Sequence, residues 1–266
     1  MNSELRELKQ EGVFDLDPQS DNMQDLLEKM KGLESFFRKN DSYSSLGEFL
    51  AVYRQITSSV DRIYGRKGFK KASEMQRLDL EFGSLYLMAM ERFLLNEERI
   101  SPWKNYIDYC MREDASPSIA MFLGINSHVN GDLLKALNST GFDCFEDYSR
   151  VNPVLRDHLS KNLHHLVLKD HDKYAFLAEV FKPLSRYEMD HTIISWRRNT
   201  WKHRGNPDKE PVFESYAEKV AEKVIDISEA TNPLTLPLEA YKLRFMDLKD
   251  FPEIDSEINH LNHLNS

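Results

Sequence analysis

Apolar residues along this chain recur every three to four positions, the period of an α-helix with one buried face, and no series of short alternating strands appears. Met23, Leu26, Leu27, Met30, Leu33 and Phe37 set one such stripe over residues 23–38. Asp41-Ser42-Tyr43-Ser44-Ser45 interrupts it with residue types that start helices. Phe49, Leu50, Tyr53, Ile56, Val60 and Ile63 carry the next stripe over 46–64, closed by Gly65 and Gly68. Residues 73–95 repeat the pattern with Met75, Phe82, Tyr86, Met90 and Phe93, and a shorter helix over 103–111 follows Ser101-Pro102. Further helices are predicted over 118–138, 154–168, 174–181, 187–203 and 212–229, with breaks at Pro183 and at Gly205-Asn206-Pro207-Asp208. The expected fold is all-α: one multi-helix, bundle-like domain over residues 41–230. A helical N-terminal arm (1–40) precedes it and a C-terminal extension (231–266) follows, with a loop at 232–237.

Two carboxylates break the pattern. On a wheel of about 100° per residue, Met121, Phe122, Ile125, Val129, Leu133 and Ala136 form the apolar face of helix 118–138. Asp132 falls in the middle of that face, and His128, four residues earlier, points the same way. Asp79 sits on the apolar face of helix 73–95, near Phe82 and Tyr86. A carboxylate aimed into a core is costly unless a cation, a metal or hydrogen-bond donors meet it.

Two readings follow. In the first, facing helices bring Asp79, His128 and Asp132 together as ligands of a divalent metal (Zn²⁺, Fe²⁺ or Mn²⁺) with open positions for water and a small-molecule substrate. That would make a metal-dependent hydrolase, with Asn126 or Arg197 orienting an anionic or carbonyl group. Without a metal the two acids would share a proton, giving a general acid or base beside His128. In the second reading the same residues form a structural network. Arg197 or Arg198 then forks onto Asp79 or Asp132, and Asn126, Asn130 and Asn152 satisfy the rest. A non-catalytic protein of that kind would act through a partner, or through an apolar ligand held in its aromatic and Met-rich interior.

Gly124 and Gly131 share a stripe, which reads as close packing or as room for a ligand beside His128. Adjacent His164 and His165 diverge by about 100° on a helix, so with Asp170, His171 and Asp172 they read as a solvated surface. His191 is a further ligand candidate, and Trp196 and Trp201 read as core or as cavity lining.

Charge narrows the partners. The net charge of −9 argues against nucleic acid, and the basic cluster Arg66-Lys67-Gly68-Phe69-Lys70-Lys71 is local. No apolar run approaches the length of a membrane span, and the N-terminus lacks a secretory apolar segment, so a cytoplasmic protein is expected. Cys110 and Cys144 make neither a disulfide framework nor a metal spacing. No phosphate loop, nucleophile elbow or CxxC pair occurs.

Gly124-Ile125-Asn126-Ser127-His128-Val129-Asn130-Gly131-Asp132-Leu133 resembles the signature G-[MI]-N-[AS]-H-[IV]-N-x-D-L of a bacterial, mostly actinobacterial, domain-of-unknown-function family. Leu78-Asp79 with Tyr86-Leu87, Asp147-Tyr148-Ser149-Arg150-Val151-Asn152, and Arg197 four before Trp201 are similar to its other segments, over about residues 45–205. The resemblance implies an all-helical domain and no particular activity. It groups Asp79, Asn126, His128, Asp132, Asn152 and Arg197 as one polar set; in the enzymatic reading Asn126, Asn152 and Arg197 are the expected substrate-binding residues. A weaker likeness links His128-Val129-Asn130-Gly131-Asp132 to the H-x-x-G-D segment of the zinc-dependent phospholipase C and P1 nuclease group. Leu133-Leu134-Lys135 follows here instead of that group's Gln-Pro and His, which argues against a three-zinc cluster.

Overall fold

Helix is the only regular structure among the described residues, 3–169 and 192–229 of a computed structural model. In chain order the helices are α1 (Ser3–Gln10), α2 (Met23–Lys39), α3 (Leu46–Gly65), α4 (Ala72–Asn96), α5 (Lys104–Cys110) and α6 (Pro117–Asn126). Then come α7 (Leu133–Thr140), α8 (Phe145–Arg150), α9 (Asn152–Lys169), α10 (192–202) and α11 (Glu210–Glu229). The all-α expectation holds. Predicted helix 174–181, the loop at 232–237, the extension beyond it, and Asp170, His171, Asp172 and His191 lie outside the described residues, as do the side chains of His164 and His165.

Local chemistry places the helix ends where the sequence breaks. Asn22 caps α2 through a reciprocal capping box with Asp25. Ser116 accepts from the Ile119 N–H and Pro117 takes the first position of α6, where its missing N–H costs nothing. Gly141 ends α7 in the left-handed conformation that glycine adopts freely.

The polypeptide from 117 to 140 forms the central rod. Between α6 and α7 it passes through a π-helical turn, Ser127–Asp132, in which the Leu133 N–H reaches back five residues to the His128 carbonyl. The expected single apolar face is not what is found. Residues 120–137 are buried all round except Phe122 and Lys135, because α3, α4, α5, α9 and α11 surround the rod. Every side chain on it must therefore be small, apolar or hydrogen-bonded.

Residues 23–39, read above as part of an arm, pack as a full member of the bundle. Leu26, Met30, Leu33 and Phe37 of α2 are completely buried, largely against α3. Each such side chain contributes about 1.5–3 kcal/mol relative to exposure. Leu5, Leu8, Val13 and Phe14 extend the same core outward. Among the described residues no helix is long and apolar enough to cross a membrane.

Candidate active site

Two glycines allow the central rod to be enclosed so tightly. A Cβ at Gly124 would stand 2.4 Å from Phe49 Cγ on α3, and one at Gly131 would stand 2.0 Å from Pro102 Cγ. Close packing accounts for both, and the neighbour at Gly131 is a loop rather than a helix. Pro102 resting on Gly131 brings the whole 101–103 turn against the π segment. Ser127 Oγ donates to the Pro102 carbonyl at 3.0 Å. The Trp103 indole Nε1–H donates to Asp132 Oδ2 at 2.9 Å.

The same carboxylate oxygen lies 3.2 Å from His128 Nδ1. His128 and Asp132 are each 2% exposed and Trp103 is fully enclosed. A carboxylate only accepts, so Nδ1 carries the proton and Nε2 of the neutral ring is left as an acceptor. Burial lowers the His128 pKa, and Asp132 opposes that shift. The imidazole lies flat on Phe82, with ring centroids 3.4 Å apart and planes within 7°. Tyr53, Phe49, Trp103 and Tyr86 close around it. Nε2 is buried there with no hydrogen-bond partner among the described residues. Buried polar atoms are satisfied in the great majority of cases, so this one needs an explanation.

His128 is part of the wall of a cavity enclosed by α3, α4, the central rod, α8, α9 and α10. The space open to the centre of a water molecule is about 70 Å³, several times what one water needs, and the unfilled volume including the mouth is about 810 Å³. Its lining is almost wholly apolar: Val52, Ile56, Val60, Met75, Leu78, Val129, Leu155, Leu159 and Ile193 among others. Among the described residues Asp79, His128 and Arg197 interrupt it, together with the hydroxyl-bearing Tyr53, Thr57 and Tyr148.

Asp79 accepts from the Tyr64 hydroxyl at 2.7 Å. Burial pushes its carboxyl up to about 6, against the opposing pull of Tyr64 and of Arg197. Arg197, 6% exposed, is held rigidly. Its Nε donates to Asn152 Oδ1 at 2.9 Å, its Nη2 to the Tyr148 carbonyl at 2.9 Å, and its guanidinium stacks 4.2 Å over the Tyr148 ring. The Tyr148 hydroxyl returns a bond to the Arg197 carbonyl at 2.8 Å.

The polar set expected from the sequence is thus divided. Asp79, His128 and Arg197 face one cavity. Asp132 and Asn152 stand behind His128 and Arg197 and hold them. Asn126 faces the other way: its Nδ2 donates to the Ala217 carbonyl of α11 at 2.7 Å and its Oδ1 accepts from Asn130. Among the described residues no three His, Cys, Asp or Glu side chains converge as metal ligands. Asp132 is turned to His128 and Trp103 rather than to Asp79. The expected fork from Arg197 or Arg198 onto Asp79 or Asp132 is replaced by the fork of Arg197 onto Asn152 and Tyr148. Trp196 packs on Phe122 and Trp201 on Tyr148, Phe142 and Phe145, so neither lines the cavity. Trp103 and Tyr64 are the partners that sequence reasoning missed. Nothing in residue spacing links either to the acid it meets.

Two members of the basic cluster, Lys70 and Lys71, are tied into the fold. Lys70 pairs with Glu146, Lys71 with Asp143 and Glu74, and the backbone N–H groups of both lysines cap the fully buried Asp147.

Neither a curated protein nor a solved structure matches this chain. A family model described as a family of unknown function (DUF5995) matches residues 23–229, a span that takes in most of the chain and every residue of the cavity wall. The chain therefore belongs to this family of unknown function.

Proposed function

We propose that the cavity is an acid–base active site and that its reaction is hydrolysis of a small, largely apolar molecule. The observation that carries this is the buried Nε2 of His128, without a partner, on a ring whose Nδ1 is held by Asp132. A base oriented by a carboxylate behind it is the arrangement used to deprotonate water or a hydroxyl. Desolvation keeps the imidazole neutral, hence able to accept, at neutral pH. Asp79, raised towards neutrality in the same cavity, is poised to hold a proton for the leaving group. In the step, His128 Nε2 takes a proton from water as its oxygen bonds to the substrate carbonyl carbon. The bond to the leaving oxygen then breaks, and that oxygen takes a proton from Asp79 or from the imidazolium.

The test is turnover of p-nitrophenyl butanoate and hexanoate by the full chain beside His128→Gln. General-base catalysis predicts a fall of about 100-fold or more in kcat/KM in a variant of unchanged Tm. Equal rates in parent and variant, or a parent no faster than buffer, would overturn the reading.

A second reading keeps a metal. Metal-bound histidines commonly carry a carboxylate on the other ring nitrogen, as His128 carries Asp132. Asp132 would then support the ligand, with His128 and Asp79 left to touch the ion. Stoichiometric Zn, Fe or Mn in the purified protein, lost in His128→Ala, is its expected result. A metal-free protein that still turns over ester excludes it.

A further inference from the structure

We infer that the molecule this cavity takes is a carboxylate with an apolar body, and that Arg197 anchors its anionic end. This rests on the reading of the cavity as the functional site. It adds the chemical class of the ligand.

Among the described residues no anion is hydrogen-bonded to the buried guanidinium of Arg197. Arg197 is 6% exposed, yet among the described residues its hydrogen bonds go to neutral acceptors, the Asn152 side-chain amide and the Tyr148 carbonyl. A guanidinium does not discharge, so a buried one needs an anion nearby. Among the described residues Asp79 is the carboxylate that shares its cavity, but it acts on Arg197 only through space, and its own hydrogen bond is with Tyr64. An anion seated in the cavity would supply the missing partner. The guanidinium is a planar fork suited to a carboxylate, and Asn152 with the Tyr148 ring already fixes its plane.

The rest of the wall defines the remainder of the ligand. Val52, Ile56, Val60, Leu155 and Ile193 offer no hydrogen bonds from their side chains, and the Thr57 and Tyr148 hydroxyls are given to backbone carbonyls, so the body that fills this space is mainly hydrocarbon. An amine is disfavoured because a second cation would be brought beside Arg197. A neutral alcohol would fill the space but leave the guanidinium uncompensated.

Calorimetry on the full chain with hexanoate, hexanol and hexylamine tests this directly and needs no variant. Hexanoate is expected to bind, with the other two at least about tenfold weaker, a difference of about 1.4 kcal/mol. Arg197→Gln, checked for unchanged Tm, should bring hexanoate down to the level of hexanol, while Arg197→Lys retains part of the preference. Equal binding of hexanoate and hexanol would overturn the assignment of the anion while leaving the cavity as the site. Preference for hexylamine would overturn it in favour of Asp79 as anchor. Ester turnover that depends on His128, together with no hexanoate binding, would sink this inference alone.

Discussion

Pro102 occupies the space that Gly131 leaves empty. A single added carbon at residue 131 would lie 2.0 Å from Pro102 Cγ, far inside contact distance. That contact sets the height of the 101–103 turn over the π segment, and so the reach of the Trp103 indole to Asp132.

Gly131→Ala therefore has an expected sign opposite to that of an ordinary helix. In an exposed helix interior, replacing glycine by alanine stabilises by about 1 kcal/mol. Here the rigid Pro102 ring must move, and overpacking of that kind costs about 1–3 kcal/mol. Chemical denaturation should show Gly131→Ala destabilised, by up to about 2 kcal/mol once the propensity gain is subtracted. Gly65→Ala, whose new methyl meets open space at the end of α3, should be neutral or slightly stabilised. A stabilised Gly131→Ala would mean that the turn does not sit where it is described.

Trp103→Phe keeps most of the ring and removes the indole donor. Asp132 Oδ2 then loses one of its two hydrogen bonds in a buried setting. The expected cost is about 1–3 kcal/mol, read from urea denaturation. A carboxylate with one donor fewer also pulls harder on the imidazole. NMR titration should find the His128 pKa higher in the variant than in the parent. An unchanged His128 titration would separate Trp103 from the His128–Asp132 pair.

The Asp79 carboxyl gives the protein a pH-dependent stability. Its folded pKa, about 6, exceeds the ordinary 3.8, so between those values the folded state binds the extra proton. Stability from this group is greatest below about pH 4, falls as pH rises through 6, and is level above it. Around Asp79 stand the Tyr64 hydroxyl, Tyr53 and, across the cavity, Arg197 and His128. Asp79→Asn keeps an acceptor for Tyr64 and removes the buried charge. It should raise stability at pH 8 by about 1–3 kcal/mol and leave it nearly unchanged at pH 4. Equal effects at both pH values would show that Asp79 is not the group responsible. His128 works in the opposite sense: its lowered pKa means that stability is lost as pH falls below the ordinary histidine range.

Periodicity alone was enough to establish the helical class, most helix positions, and the residues that do not belong on apolar faces. Those properties are local: they depend on the 3.6-residue repeat and on caps such as Asn22, Ser116 and Gly141, all readable within a few residues. The pairing of His128 with Asp132 was legible for the same reason, since both lie on one stretch of helix. Which residues complete the site was decided by tertiary packing. Trp103 meets Asp132 because Gly131 admits Pro102, and Tyr64, at the end of α3, reaches across to Asp79 on α4. Asn126 leaves the site because α11 packs on the rod and offers it the Ala217 carbonyl, and Asn152 supports Arg197 from the start of α9. The π turn adds a change of helical register that a uniform 100° wheel does not contain. Sequence spacing encodes what a side chain's own helix offers it; the partner across a packed interface depends on how whole helices fit, and that is a property of shape rather than of period.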